Sequence, residues 1–205
     1  MKYIEVIFQK ENTSFSSVVI KGKKYREVPS FFMKKKWGKK FFFPSFEEAE
    51  KWLALWEKKK ARAYGLYLLS RKNYCSKELK KKMEMKKINK QIVDDLISEF
   101  IKIGYINDED WIDGYIKKEW KKNISPRMIL WKLKQLNNDE NFCEERIIFL
   151  IPEKEQRKKI KELLNKKGEK GILYLKRKGF DLNLILSVAA NLFKIRHVRD
   201  NEEKE

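Results

Sequence analysis

Histidine, cysteine and acidic side chains are where a catalytic or metal-binding reading of this chain would begin, and their spacing argues against both. The single histidine, His197, lies just before a charged tail ending Asn201-Glu202-Glu203-Lys204-Glu205. Cys75 and Cys143 are far apart in sequence, so no Cys/His zinc spacing exists, and they read as small apolar residues in a reducing compartment. The acidic group Asp108, Glu109, Asp110 and Asp113 lacks the spacing and central glycine of a calcium loop, and suits a helix start instead. Asp94 and Asp95 are adjacent and therefore point to different sides of a helix. The eight glycines are scattered, which removes phosphate-cradling and dinucleotide fingerprints. No catalytic residue, metal or cofactor is expected, and the chain reads as a non-enzyme.

Charge gives a positive clue. The formal net charge is +19, from 49 Lys and Arg against 30 Asp and Glu. A small domain needs a net charge of only about 2–8 for solubility, so the excess points to a polyanionic partner such as nucleic acid. Any one lysine is adequately explained as part of a solvated helix face. The clusters are Lys34, Lys35, Lys36, Lys39 and Lys40 around Trp37, then Lys58, Lys59 and Lys60, then Lys80, Lys81, Lys82, Lys86 and Lys87. Phe31, Phe32, Trp37, Phe41, Phe42 and Phe43 interleave with the first cluster. Aromatics among lysines stack single-stranded bases, or pack a small sheet on a helix, and both readings stand at this point.

The elements that would position these residues are mostly helices. Ile92, Val93, Leu96, Ile97, Phe100, Ile101 and Ile103 recur every three or four residues and predict an inward-facing stripe. Gly104 stops that helix, Tyr105 and Ile106 fold back, and Asn107 or Asp108 opens the next, which carries Trp111 and Tyr115. The same grammar recurs with a period of roughly 40–50 residues, the mark of stacked repeats. Leu79 and Met83, Ile129 and Leu133, then Gly171 and Leu175 are the paired inner positions of successive second helices. Before them, residues 3–8, 15–20 and 25–28 predict strands around a turn at Gly22-Lys23. Ser45 with Glu48 is a capping box opening a helix with Ala49, Trp52, Leu53 and Trp56.

The predicted fold is mainly α: tandem three-helix repeats in an elongated, curved array, with a small N-terminal antiparallel β module. The expected divisions are a β module at 1–44, a connecting helix at 45–60, three-helix repeats at 61–107, 108–152 and 153–195, and a charged tail at 196–205. Nothing approaches the ~20 apolar residues of a membrane span, and the first residues lack the apolar segment of a signal peptide. A soluble, cytoplasmic monomer is expected.

Several motifs resemble the RecX regulatory proteins, modulators of the bacterial RecA recombinase. Leu68-Leu69-Ser70-Arg71-Lys72 followed by Ser76-Lys77-Glu78-Leu79-Lys80-Lys81-Lys82-Met83 is similar to that family's first repeat. Gly104-Tyr105-Ile106-Asn107-Asp108 with Trp111 and Tyr115 resembles its central junction, Ser125-Pro126-Arg127-Met128-Ile129 its second-repeat entry, and Tyr174-Leu175-Lys176-Arg177-Lys178-Gly179-Phe180 its third-repeat ending. The match runs from Ala61 to about Phe193, with Ser125 where the family has glycine and Lys86-Lys87-Ile88 where it often has Lys-Gly.

The resemblance implies a regulator that lodges in the groove of the RecA filament on single-stranded DNA and restrains ATP hydrolysis, strand exchange and repressor cleavage. Lys80, Lys81, Lys82, Lys86, Lys87, Arg127, Lys132, Lys134, Lys176, Arg177 and Lys178 are the candidate contacts with filament or DNA phosphate. Lys34, Lys35, Lys36, Trp37, Lys39 and Lys40 form a secondary set. A stand-alone single-stranded DNA- or RNA-binding helical repeat is the alternative. A scaffold docking another protein through exposed Trp111, Tyr115 and Trp120 is a third reading.

Overall fold

The computed structural model describes residues 3–33, 37–136 and 139–202, with side chains described as far as Leu192. Lys34, Lys35 and Lys36, and residues 203–205 of the tail expected at 196–205, lie outside the described residues, while 196–202 of that tail belong to the last helix. The chain divides into two compact units, Met1–Asp108 and Glu109–Glu205.

The first unit opens with a four-stranded antiparallel sheet in the order β3-β2-β1-β4. β1 (Ile4–Lys10) alternates, burying Ile4, Val6 and Phe8. β2 (Phe15–Ile20) and β3 (Lys23–Pro29) are joined by a turn in which Lys21 and Gly22 both have positive φ, 50° and 76°. That matches the right-handed twist a two-residue hairpin needs. β3 lies at an edge, where Pro29 removes no ladder bond that the sheet requires. After a 3₁₀ turn at Ser30–Met33 comes β4 (Lys40–Phe43), antiparallel to β1. The aromatic passage thus contains a strand that its sequence did not announce.

α1 (Phe46–Arg71) is one uninterrupted helix, capped by Ser45, whose side chain accepts the Glu48 amide at 3.2 Å. The division expected at 60/61 falls inside it, since Lys58, Lys59 and Lys60 are good helix formers and supply no stop. Its face of Ala49, Leu53 and Trp56 packs on the sheet with Val6, Phe8, Val18 and Phe32. Phe41 and Phe43 meet Trp52 at ring-centroid distances of 4.8 and 5.2 Å, and Phe8 meets Trp56 at 5.0 Å. Fully burying a side chain of this kind is worth about 1.5–3 kcal/mol, a value that Phe8 and Trp56 approach and the partly buried Phe41, Phe43 and Trp52 share in part, so the aromatics hold sheet to helix.

Further along α1, the core continues into α2 (Ser76–Glu84) and α3 (Lys90–Lys102). Gly65 lets Phe100 lie against the α1 backbone; a Cβ there would stand 2.7 Å from the ring. Of the predicted α3 stripe, residues 92, 93, 96, 97 and 100 are buried, whereas Ile101 and Ile103 in and after the last turn are about half exposed.

α3 closes as predicted at Gly104, with φ 78°. The Gly104 amide donates to Ile101 O at 3.0 Å and the Tyr105 amide to Phe100 O at 2.8 Å, a Schellman closure that also buries Ile106.

The second unit carries α4 (Asp108–Lys121), α5 (Pro126–Gln135), α6 (Glu140–Leu150), α7 (Glu153–Lys167), α8 (Lys170–Arg177) and α9 (Leu182–Glu202), α4 beginning at the last residue of the first. Closures like that of α3 recur. Asn123 (φ 60°) ends α4, and Gly179 (φ 85°) ends α8. Ser125 caps α5 by accepting the Met128 amide at 3.2 Å, with Pro126 in the first turn. Asp181 accepts the Leu184 amide at the start of α9. The second helices bury the predicted pairs, Leu79 and Met83 on α2, Ile129 and Leu133 on α5, Gly171 and Leu175 on α8. Gly171 stands where the others carry larger residues because Leu164 and the Leu163 carbonyl lie 3.2–3.4 Å from where its Cβ would be.

Trp111 is buried and stacks on Tyr115 at 5.3 Å, and Trp120 packs on Phe180 at 5.9 Å. The exposed patch expected of these three is not formed: Trp111 is buried, and Tyr115 and Trp120 are partly covered. Among the described residues no helix is long and apolar enough to cross a membrane.

Candidate cationic interface

The junction after α3 does more than connect helices. Of the two residues expected to open α4, Asn107 or Asp108, Asp108 is the first of that helix, and its carboxylate is turned back onto α2. Its Oδ1 accepts the Ser76 amide at 2.7 Å and its Oδ2 the Ser76 hydroxyl at 2.5 Å. Cys75, the α2 N-cap, supplies no side-chain cap bond, so Asp108, 32 positions on from Ser76, provides one. A carboxylate there also suits the positive end of the helix dipole. The Asp108 cap thus anchors the start of the helix bearing Lys80, Lys81 and Lys82. Cys75 itself is buried, and burial pushes its thiol pKa up, away from reactivity.

The eleven candidate cations are not equivalent. Lys80 is half-buried and pairs with Asp94 at 2.5 Å, a hydrogen bond that raises its pKa. Lys87 pairs with Glu27 and sits 4.4 Å over the Phe15 ring. Lys132 donates to Glu119 at 2.6 Å, and Lys134 pairs with Glu140. Lys82 and Lys178 each lie 5.7 Å over a tyrosine ring, Tyr74 and Tyr174. Lys81, Lys86, Arg127, Lys176 and Arg177 are exposed, and among the described residues they have no ion-pair partner. Cations already neutralised by a neighbour give up that pairing to bind phosphate, so these five are best placed for an external anion.

In the second unit the chain segments that carry three of the five, the end of α8 and the start of α5, meet. The Ser125 amide donates to Lys178 O at 3.0 Å, and Gly179 lies so close to Met128 that a Cβ would stand 2.3 Å from its Cγ. The C-terminus of α8, with Lys176 and Arg177, is thereby held at the first turn of α5, beside Arg127. A shallow recess of about 390 Å³ lined by Arg127, Met128, Trp131 and Gly179 opens there, and the Trp131 ring is exposed.

Glu119 explains why Lys132 is not in that group. The carboxylate is buried on α4, and burial pushes its pKa up, but hydrogen bonds from Lys122 and Lys132 outweigh this and hold it below the usual range. Likewise Arg146 grips Asp113 through two bonds, of 2.8 and 2.5 Å, and lowers its pKa. These pairs tie α4 to its neighbours.

In the secondary set, Trp37, Lys39 and Lys40 are exposed. Trp37 donates to Ser16 Oγ at 3.3 Å with Lys10 4.9 Å over its ring, and Lys40 pairs with Glu5 at 2.7 Å. Sequence spacing missed a groove on the first unit, lined by Phe31, Phe32, Lys60, Tyr64, Tyr67 and Lys86. The basic run 58–60 and the tyrosines of α1 were visible, but not that Phe31 would meet them. Among the described residues no group of three or more His, Cys, Asp or Glu is arranged to hold a metal.

This architecture, a four-stranded antiparallel sheet followed by helices, is RecX-like in fold by comparison with solved structures. Two solved structures share it. One, a crystal structure of regulatory protein RecX, aligns with a TM-score of 0.61 at 14% identity over 90% of this chain and 98% of that one. Another, RecX from Lactobacillus salivarius, gives 0.58 at 22% identity over 66% of this chain and 96% of that one. In sequence the chain is similar to "Regulatory protein RecX" of Caldanaerobacter subterraneus subsp. tengcongensis, 24% identical over 135 residues, 63% of this chain and 68% of that protein. No family model matches. The resemblance to RecX proteins is thus carried by sequence and by fold.

Proposed function

We propose that this chain is a non-enzymatic cytoplasmic regulator that binds a RecA-type recombinase filament on single-stranded DNA and restrains its ATPase, strand-exchange and coprotease activities, acting as a monomer. The observation that carries this reading is a set of exposed cations without an ion-pair partner among the described residues, Lys81 and Lys86 in and just after α2, Arg127 in the first turn of α5, and Lys176 and Arg177 at the end of α8, on a fold shared with proteins named as RecX regulators. Guanidinium and ammonium groups without internal partners bind phosphate or carboxylate by counterion release, with no bond-breaking chemistry.

The test is co-sedimentation with preformed recombinase filaments, with free recombinase and with bare single-stranded DNA, alongside the filament's ATPase rate. Preferential capture by filaments and a lowered rate are expected. The double reversal Lys81→Glu, Lys86→Glu and the triple reversal Arg127→Glu, Lys176→Glu, Arg177→Glu should each weaken capture while leaving thermal unfolding unchanged. Full inhibition by both well-folded variants would exclude these cations from the interface. Equal binding to bare DNA, indifferent to recombinase, would favour the stand-alone binder.

A further inference from the structure

The groove on the first unit is not among the cations just described, apart from Lys86, and its chemistry is different. It is an open recess of about 470 Å³ between the 3₁₀ turn and α1, within the range of about 300–1,000 Å³ typical of small-ligand sites. Phe31 stands at one wall, with its ring 4.9 Å from Tyr64 and 4.8 Å from Phe32. Tyr67, one α1 turn on from Tyr64, is 54% exposed, and Phe31 is 37% exposed. Arg71 fixes the Tyr67 ring, lying 5.7 Å over it and donating to its hydroxyl at 3.3 Å. Ala63, small and exposed, leaves room between the rings. Lys60 and Lys86 stand at the groove, and neither has an ion-pair partner among the described residues.

We infer that this groove holds one unpaired base of single-stranded DNA, stacked against Phe31 and Tyr67, while Lys60 and Lys86 take the phosphates on either side of it. Aromatic walls alone would suit any apolar group. The two free ammonium groups select a ligand that is flat and apolar in the middle and anionic at both ends, which describes a nucleotide within a strand. An acidic peptide helix would use the charges but leave the ring faces without a planar partner, and an apolar one would leave both charges unmet. A duplex keeps its bases stacked on one another and would have to release one first, at a cost of a few kcal/mol. Stacking reads no sequence, because every base has a π-face. This deepens the filament reading, on which it rests for the choice of strand, by giving the protein its own hold on exposed DNA beside the recombinase.

The experiment compares binding of the whole protein to a fluorescein-labelled oligothymidylate and to an abasic strand with the same number of phosphates, by anisotropy at several salt concentrations. Stacking contributes about 1–3 kcal/mol per base, so the base-bearing strand should bind about 5- to 150-fold more tightly. Tyr67→Ala and Phe31→Ala should remove that preference, and Tyr67→Phe should keep it. Ala63→Leu fills the groove from an exposed helical position without threatening the fold, and should also abolish the preference. Lys60→Gln and Lys86→Gln should preserve the preference while each lowers the salt slope by about one. Equal affinity for the two strands in the wild type, or a preference that survives Ala63→Leu, overturns the inference. The filament ATPase separates this from the regulatory reading. Restraint of ATPase without base preference sinks the groove alone, and base preference without any effect on filaments sinks the regulatory reading alone.

Discussion

Replacing Gly179 by alanine tests the joint that assembles the cations of the second unit. Two costs add at this position. With φ at 85°, any Cβ meets the left-handed penalty of about 1–2 kcal/mol. The added methyl would also stand 2.3 Å from Met128 Cγ and 2.8 Å from Ser125 Oγ. Met128 can swing aside, but Ser125 is the α5 cap and cannot do so without releasing the Met128 amide. Overpacking of this kind costs about 1–3 kcal/mol, giving about 2–5 kcal/mol in all. Gly104 is the control. It has a similar φ of 78°, but nothing lies within 4 Å of its missing Cβ, so Gly104→Ala should cost only the conformational share of about 1–2 kcal/mol. Gly104→Asn should cost less still, because asparagine tolerates this conformation, as Asn123 does at the end of α4 with φ 60°. Urea unfolding gives the totals, and hydrogen exchange of the α5 first-turn amides locates the damage. Equal losses for the two alanine variants, or full protection of those amides in Gly179→Ala, would refute the reasoning.

Three further substitutions probe the scaffold. Asp108→Ala should destabilise the first unit by about 1–2 kcal/mol and speed exchange at the start of α2, since it removes a cap, and a loss confined to α4 would contradict that role. Gly65→Ala gains about 1 kcal/mol of helix propensity but forces a methyl to 2.7 Å from Phe100, at a cost of about 1–3 kcal/mol, so urea titration should show net destabilisation. Glu119 has a folded pKa below its ordinary value, so its stabilisation is complete above about pH 4–5 and disappears as pH falls through the lower folded value. Glu119→Gln should therefore lower thermal stability at neutral pH and flatten its fall in acid, and an unchanged acid limb would remove Glu119 from that account.

Much of the local structure was legible because it depends on near neighbours. The buried five of the α3 stripe, the caps at Ser45 and Ser125, and the closure at Gly104 all follow from spacing and from which residues accept a left-handed backbone, whereas the ending at Gly179 came only from the family resemblance. β4 was hidden because its Phe41-Phe42-Phe43 run has no alternation to mark a strand, and only pairing with β1 makes it one. Ile101 and Ile103 were assigned to the core because a periodic pattern cannot show where its cover ends.

The sequence by itself determined the helical grammar, the paired inner positions of the second helices and the cationic excess, since each is a property of composition or of residues a few positions apart. Which cations are free to meet a partner was decided by the fold. Lys132 is taken by Glu119 and Lys80 by Asp94, while Arg127, Lys176 and Arg177 have no ion-pair partner among the described residues. The fold likewise aimed Asp108 at Ser76 and brought Phe31 against Tyr64. Periodicity says which face of a helix turns inward; only packing says what that face, and the charges at its rim, will find there.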